Sequence, residues 1–169
     1  MEFYFVDNDY VKYLQDYEIS KRGFTRVPNM DYPEKNKQKF VFGSVLNINS
    51  HFYFVPVTSY NIQKSENICI PSPFNPKVFS SSIRFNYMFP VPKECLTLFD
   101  FSEIEDINYF RLVLHEYHYL KALKKDVESK AFETYKKITD KICSKNLISN
   151  SCDFKILETA CDEYIKQNV

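Results

Sequence analysis

Thr58 and Ser59 form the first of three residue groups in this sequence whose types and spacing could do chemistry. The two hydroxyls follow an aromatic, strand-forming run. At the end of a strand beside a basic loop they are well placed to hydrogen-bond a phosphate. Ordinary turn formation explains the pair as well and is the simpler interpretation of these residues alone. No Gly-x-Ser-x-Gly motif surrounds Ser59, so serine-hydrolase chemistry is not indicated.

His115 and His118 form the second group, and their spacing places them on one face of a helix. Two histidines could divide the acid and base roles of RNA cleavage, because their pKa values lie near neutrality. Two partly solvated helix histidines are the simpler alternative. The string His-Glu-Tyr-His is one residue too short for the zinc-protease motif. The carboxylates show no metal-binding spacing, so we predict no metal and no other cofactor.

Basic residues interleaved with tyrosines form the third group. Such a mixture suits single-stranded RNA, because cations bind phosphates and aromatic rings stack on bases. A solvated loop with charged strand edges is the competing interpretation. The cations are Lys35, Lys37, Lys39, Lys64, Arg84 and Lys93, and the aromatic residues are Tyr32, Tyr60 and Tyr87.

Composition narrows the class of protein. The net charge is zero, but residues 21–93 carry ten basic and three acidic residues, a local excess that a phosphate backbone would need. Only 2 glycines occur, which excludes glycine-rich phosphate loops. The 5 cysteines show no Cys-x-x-Cys spacing, and no signal peptide or long apolar run is evident. We expect a cytoplasmic protein with reduced thiols and no membrane partner.

The pattern of elements predicts an α+β fold, with strands first and helices last, in a single domain spanning residues 1–169. The strongest signal is a hairpin of two aromatic strands joined by a turn at 47–50. A short helix precedes a long polar loop at 18–38, and helical spacing begins near Ile104. Strands are expected at Glu2 to Val6, Phe40 to Ile48, His51 to Thr58, Asn67 to Ile70, Ser82 to Phe89 and Leu96 to Phe99, and a last helix at Asp153 to Lys166.

The order of these pieces resembles the ToxN/AbiQ family of type III toxin–antitoxin endoribonucleases. The most specific part is Phe40 to Leu46 (FVFGSVL) followed by His51 to Ser59 (HFYFVPVTS), an aromatic strand with glycine and a second strand ending in Pro-x-Thr-Ser. Supporting similarities lie in Glu2 to Leu14, Asn86 to Val91 and Tyr109 to Lys121. The resemblance implies a compact, strongly curved antiparallel sheet with a barrel-like core, similar to the Kid/MazF toxins, surrounded by helices with long ones at the C-terminus.

The resemblance also implies site residues. Ser59 and Thr58 match the family's active-site pair, Tyr10 matches a helix tyrosine near the site, and Tyr32 matches a loop tyrosine. The family lysine two residues after the serine is replaced here by Asn61. Lys64 is the nearest substitute, and Lys37, Lys39 and His118 are the alternatives. The expected RNA contacts are Lys35, Lys37, Lys39, Arg84, Asn86 and Lys121.

The implied reaction is metal-independent RNA cleavage to 2′,3′-cyclic phosphate and 5′-hydroxyl ends. The implied partner is a small repeated antitoxin RNA that folds as a pseudoknot, is processed by the toxin and holds it in a closed assembly. Cellular or phage mRNA would be the substrate. A non-catalytic RNA-binding module using the same face, and a protein-interaction domain with an exposed Tyr-rich surface, are the alternatives.

Overall fold

The computed structural model describes residues 1–32 and 37–168, without the side chains of Tyr32 and Lys37. One helix follows the first strand, and the other helices follow the last strand, which confirms the predicted α+β class. The strands are β1 (Glu2–Val6), β2 (Asp31–Tyr32), β3 (Lys37–Gln38), β4 (Val41–Ile48), β5 (His51–Thr58), β6 (Asn67–Pro71), β7 (Phe79–Arg84), β8 (Phe89–Pro90) and β9 (Leu96–Leu98). The helices are α1 (Asn8–Arg22), α2 (Ile107–Ala122), α3 (Lys124–Thr139), α4 (Lys145–Ser149) and α5 (Phe154–Asn168).

The predicted hairpin is present as β4 and β5, paired antiparallel from Ile48 opposite His51 onward. Its turn consists of Asn49 and Ser50, with φ values of 51° and 65°. Two adjacent residues with positive φ are typical of the type I′ turn that matches the twist of a hairpin. The turn therefore sets the register between β4 and β5. β5 then continues to Thr58.

β5 is the central strand of a seven-stranded antiparallel sheet ordered β6-β7-β5-β4-β1-β9. One of its edges pairs with β4. Its other edge is divided: Tyr53 and Phe54 pair with β8, whereas Val57 and Thr58 pair with β7. The single strand predicted from Ser82 to Phe89 is therefore two strands joined by the 3₁₀ turn Phe85–Tyr87. Two short strands with a turn between them can pair with different stretches of β5, which one straight strand cannot do.

A bulge in β4 bends the sheet between Gly43 and Leu46, where the pairing with β5 shifts. A Cβ atom on Gly43 would lie 2.5 Å from Phe54 Cδ1 on the facing strand. That separation is far below van der Waals contact, so a larger residue would displace the Phe54 ring. A bulge of this kind bends the strand that carries it, and the resemblance implied a strongly curved sheet.

The polar segment at 18–38 is not the long loop that the sequence predicted. Helix α1 continues to Arg22 and ends where Gly23 adopts a φ of 86°. The buried Glu18 carboxylate binds Arg22 at 2.8 Å and accepts a hydrogen bond from the backbone N–H of Arg26. These partners let a polar stretch pack as an ordered element. Short strands β2 and β3 then pair with each other.

Helical structure after residue 104 begins with two long helices, α2 and α3, with the break between them at Leu123. Val113 and Leu120 of α2 are buried against the core, so one side of α2 faces inward. In the described residues, no helix combines the length and the apolar character needed to cross a bilayer. Helix α2 is the element that faces the end of β5 across the cavity described next.

Candidate active site

A cavity of about 370 Å³ opens beside the end of β5. Its walls are the ends of β5 and β7, the segment that follows β3, and one face of α2. The lining residues are Gln38, Lys39, Phe40, Val57, Thr58, Ser59, Ser80, Ser81, Tyr109, Leu112 and Glu116. Four of them carry hydroxyl groups on serine or threonine, one carries a cation and one carries a buried carboxylate. This is the chemistry expected of a site that binds a phosphodiester and moves a proton.

Thr58 and Ser59 both line this cavity, at the strand end where the sequence placed them. Thr58 Oγ1 accepts a hydrogen bond from the Tyr60 backbone N–H at 3.3 Å, which fixes the turn after β5. Ser59 is exposed, and its hydroxyl makes no hydrogen bond to any residue that the structure describes. Thr58 thus shapes the turn as a hydrogen-bond acceptor and still has a hydroxyl proton to donate, and Ser59 supplies a second hydroxyl at the cavity.

Among the described side chains, the cation that lines the cavity is Lys39 rather than Lys64. The Lys39 backbone N–H donates to the Met30 carbonyl at 3.1 Å, which anchors this residue just before β4. Lys64 lies in the loop after Ser59, is exposed and does not line the cavity. Asn61, at the position of the missing family lysine, donates to the Phe79 carbonyl at 3.2 Å. Position 61 therefore holds the loop against β7.

Tyr10 is not part of this cavity, although the resemblance placed it at the site. Its side chain is fully buried, and its hydroxyl donates to the Pro90 carbonyl at 2.7 Å. Its ring packs edge-on against Tyr164. Burial raises the pKa of Tyr10 well above the ordinary value, so its hydroxyl stays protonated. Helical spacing correctly placed Tyr10 on the inner face of α1, but that face packs on α5 and β8.

Arg84 is held between two tyrosine rings next to the site. Its guanidinium carbon lies 4.2 Å from the centre of the Tyr60 ring and 4.4 Å from that of Tyr87. Cation–π contact on both faces leaves only the edge of the guanidinium for hydrogen bonding. Tyr60 directly follows Ser59, so this Tyr60–Arg84–Tyr87 stack adjoins the cavity.

The remaining predicted RNA contacts fall in different places. Asn86 is buried, and its side chain donates to the Asn150 carbonyl at 2.9 Å, so it joins the sheet to the segment before α5. Lys121 pairs with Glu2 at 2.7 Å, away from the cavity lining. Lys35 lies outside the described residues, as do the side chains of Lys37 and Tyr32. Asn86 is thus a structural residue.

Glu116 is a charged lining residue that the sequence did not single out. It lies on the same face of α2 as Tyr109 and Leu112, and it is only 4% exposed. Burial raises the pKa of this carboxyl to about 7, and the Ser81 side chain partly offsets that effect. A signal was available: Glu116 is three residues after Val113 and four before Leu120, so it continues the buried stripe of the helix.

The two histidines that flank Glu116 do not line the cavity. His118 is exposed and contacts the Tyr117 ring. His115 is partly buried and stacks on Tyr119. In the His-Glu-Tyr-His string, the glutamate rather than either histidine therefore lines the cavity that Ser59 also lines. Across 1–32 and 37–168, no group of three or more potential metal ligands comes together.

Comparison with known proteins shows which family the chain matches. Residues 2–162 match the model of the family described as toxin ToxN of type III toxin–antitoxin systems. Endoribonuclease ToxN of Bacillus thuringiensis subsp. kurstaki is 33% identical, covering 96% of this chain and 84% of the relative. Endoribonuclease ToxN of Pectobacterium atrosepticum is 24% identical, covering 99% and 95%. A solved structure of a bacterial type III system, described as selective toxin inhibition by a non-coding RNA pseudoknot, superposes with a TM-score of 0.79 at 26% identity, covering 96% of both chains.

Proposed function

The chain belongs to the ToxN family of type III toxin–antitoxin endoribonucleases, and from this premise we propose that it cleaves RNA in the cavity beneath Ser59. The observation that carries the proposal is that Ser59 and Lys39 line one cavity. The sequence resemblance pointed to the same strand end.

The reaction we propose is attack of an RNA 2′-hydroxyl on the adjacent phosphate, which gives a 2′,3′-cyclic phosphate and a 5′-hydroxyl end. Ser59 and Thr58 hydrogen-bond the scissile phosphate and orient it. Lys39 stabilises the negative charge that accumulates on the phosphorane, where a preorganised cation has its largest effect. These groups supply positioning and charge without a metal, so cleavage is expected to persist in the presence of a chelator.

RNA would approach across the basic region next to the cavity. The exposed Lys64 follows the site in the chain and is placed to bind the backbone phosphate of a neighbouring nucleotide. The Tyr60–Arg84–Tyr87 stack offers a ring for a base and a guanidinium edge for a phosphate. Tyr32, whose side chain is outside the described residues, remains a proposed stacking residue on the strength of the resemblance.

The inhibitor we propose is an antitoxin RNA that folds as a pseudoknot, as described for the solved type III toxin. Precursor RNA with tandem repeats would be cut by the toxin and retained at the same basic surface in a closed assembly. The free toxin would then act on cellular or phage mRNA. Short tandem repeats immediately upstream of the coding sequence, followed by a terminator, would support this proposal.

The test is cleavage of total bacterial RNA by the purified chain in the presence of EDTA, with chemical analysis of the product ends. We expect 2′,3′-cyclic phosphate and 5′-hydroxyl ends, and at least a 100-fold slower reaction for Ser59→Ala. Ser65→Ala, a change in the exposed loop that follows the site, is the matched control. RNA binding without cleavage would instead support the non-catalytic RNA-binding module, and full activity of Ser59→Ala would refute the site.

A further inference from the structure

We propose that Glu116 is a catalytic residue of this cavity, the general base that removes the proton from the attacking 2′-hydroxyl. This inference rests on the proposed endoribonuclease reaction and assigns a step that Ser59, Thr58 and Lys39 leave open. Serine and threonine hydroxyls are too weakly basic at neutral pH, and a lysine ammonium has no free electron pair. A carboxylate facing the same space supplies what is missing.

The surroundings of Glu116 differ from those of the other buried glutamates. Glu18 accepts hydrogen bonds from Thr25 Oγ1 and from two backbone N–H groups, and it also pairs with Arg22. Glu158 accepts from Tyr53, Tyr135 and Lys155. Both are neutralised or well hydrogen-bonded by groups that hold the fold together.

Glu116 has no ion pair with any described residue, and the Ser81 side chain lowers its pKa less than burial raises it. Burying a carboxylate without a cationic partner destabilises the folded state. Groups arranged in this way are concentrated in sites where a perturbed acid or base performs chemistry. The side chain lines the cavity at the end of β5, so its exposed edge faces the substrate space rather than the core.

Among the described side chains, the charged and titratable groups that line the cavity with Glu116 are few. Lys39 faces the cavity from the segment before β4, and Tyr109 faces it from the same helix. Burial raises the pKa of Tyr109, with a smaller contribution from Glu116, so this phenol is neutral. The β5 and β7 walls contribute only non-titrating hydroxyls. Cys69 of β6 is kept neutral because burial raises its pKa. The lysines of α3 begin at Lys124, two turns farther along the chain.

A carboxyl group in this environment titrates in the range where a general base works best. Its pKa of about 7 means that both forms are populated at neutral pH. A carboxylate of ordinary pKa would be ionised but a weaker base, and a group of much higher pKa would be mostly protonated.

In the proposed step, the Glu116 carboxylate takes the 2′-hydroxyl proton while the 2′-oxygen forms a bond to phosphorus. The bond from phosphorus to the 5′-oxygen breaks, and that oxygen leaves with a proton taken from water. The hydroxide left behind is neutralised by the proton on Glu116, which restores the carboxylate. Nothing is oxidised or reduced, and the products are the cyclic phosphate and the 5′-hydroxyl end.

The experiment is a pH–rate profile under single-turnover conditions, using a synthetic single-stranded RNA chosen from a site that the wild-type protein cuts. The wild-type rate should rise tenfold per pH unit below about 7 and then level off. Glu116→Gln should lower the rate roughly 100-fold or more and remove this pH dependence. Glu116→Asp should retain part of the rate together with a displaced profile. Binding of the same RNA carrying a 2′-deoxy group at the cut should change less than twofold in Glu116→Gln.

Three further variants separate this role from others. Glu105→Gln, an exposed carboxylate just before α2, should behave as the wild type. His115→Gln and His118→Gln should keep the pH dependence of the rate. If either variant lost it, the dependence would be assigned to that histidine. The inference is overturned if Glu116→Gln cuts within threefold of wild type with an unchanged profile, or if a histidine variant removes the dependence. Failure of the wild-type chain to cut any RNA would instead overturn the proposed function itself.

Discussion

Replacing Glu116 with glutamine should make the protein more stable at alkaline pH even though it removes activity. The substitution keeps the size of the side chain and removes the buried charge. Because the Glu116 pKa is raised from 4.5 to about 7, the folded state holds this proton more tightly than the unfolded state does. The contribution of this proton to the free energy of unfolding is fully present below about pH 4.5. It is lost as the pH rises through about 7.

The size of the effect follows from the same two values. The Glu116 pKa is about 7 in the folded state, compared with the ordinary value of 4.5. This difference corresponds to about 3 kcal/mol in the free energy of unfolding, because each tenfold change in an equilibrium constant is about 1.4 kcal/mol. The glutamine variant does not lose this free energy at high pH. Its advantage over the wild type should therefore be about 3 kcal/mol greater at pH 8 than at pH 4.5.

The assay is urea unfolding of both proteins at several pH values, followed by circular dichroism, with no RNA present. Glu158→Gln serves as a control, because the pKa of Glu158 is shifted in the opposite direction to that of Glu116. Burial by itself raises the pKa of Glu158, but hydrogen bonds from Tyr135, Lys155 and Tyr53 more than offset that effect and lower it. Glu158→Gln should therefore be less stable than the wild type by a constant amount above about pH 4.5, and this deficit should shrink as the pH falls below that value. A constant difference between Glu116→Gln and the wild type across this range would refute the reasoning about burial.

Four further substitutions, in the cavity and around it, have distinct expected effects. Lys39→Ala should slow cleavage of a fixed RNA at least 100-fold, whereas Lys64→Ala should mainly weaken RNA binding, and comparing rates at saturating protein distinguishes the two. Tyr10→Phe should lower the free energy of unfolding by about 1 kcal/mol or more and leave the saturating cleavage rate unchanged, since its hydroxyl bond lies in the core. Arg84→Lys should weaken RNA binding in a filter assay by roughly threefold or more at low salt, because lysine keeps the charge but not the flat stacking surface.

The hairpin and its strand end could be predicted because their signals are local. Aromatic alternation, the Asn-Ser turn and the Thr58-Ser59 pair all lie within one short stretch, and each depends on near neighbours. The identity of the cation could not be obtained in this way. Lys39 and Ser59 meet only because β4 and β5 pair along their length, so their proximity is a result of register rather than of spacing.

Glu116 and Tyr10 show the two ways in which a side chain can be misjudged from sequence. A glutamate within a helical stripe is usually assigned to the solvated face, and the two histidines beside it carry the more conspicuous chemistry. Tyr10 had the right helix and the right face, but the partner of that face is set by the distant β8 and α5. In both cases the missing information was which element packs against the helix.

The divided edge of β5 has a mechanical consequence. Only two residue pairs, Val57 with Ile83 and Thr58 with Ser82, join β5 to the β6–β7 ribbon, and the cavity lies along this seam. Because so short a ladder contributes few hydrogen bonds, the ribbon can open locally at a lower free energy than the β4–β5 hairpin. The backbone amides of β7 that face β5 should then exchange with deuterium faster than those of β4. An RNA that touches Ser59 on one side and Arg84 on the other would bridge the seam and slow that exchange, so inhibitor binding would brace the enzyme as well as block it.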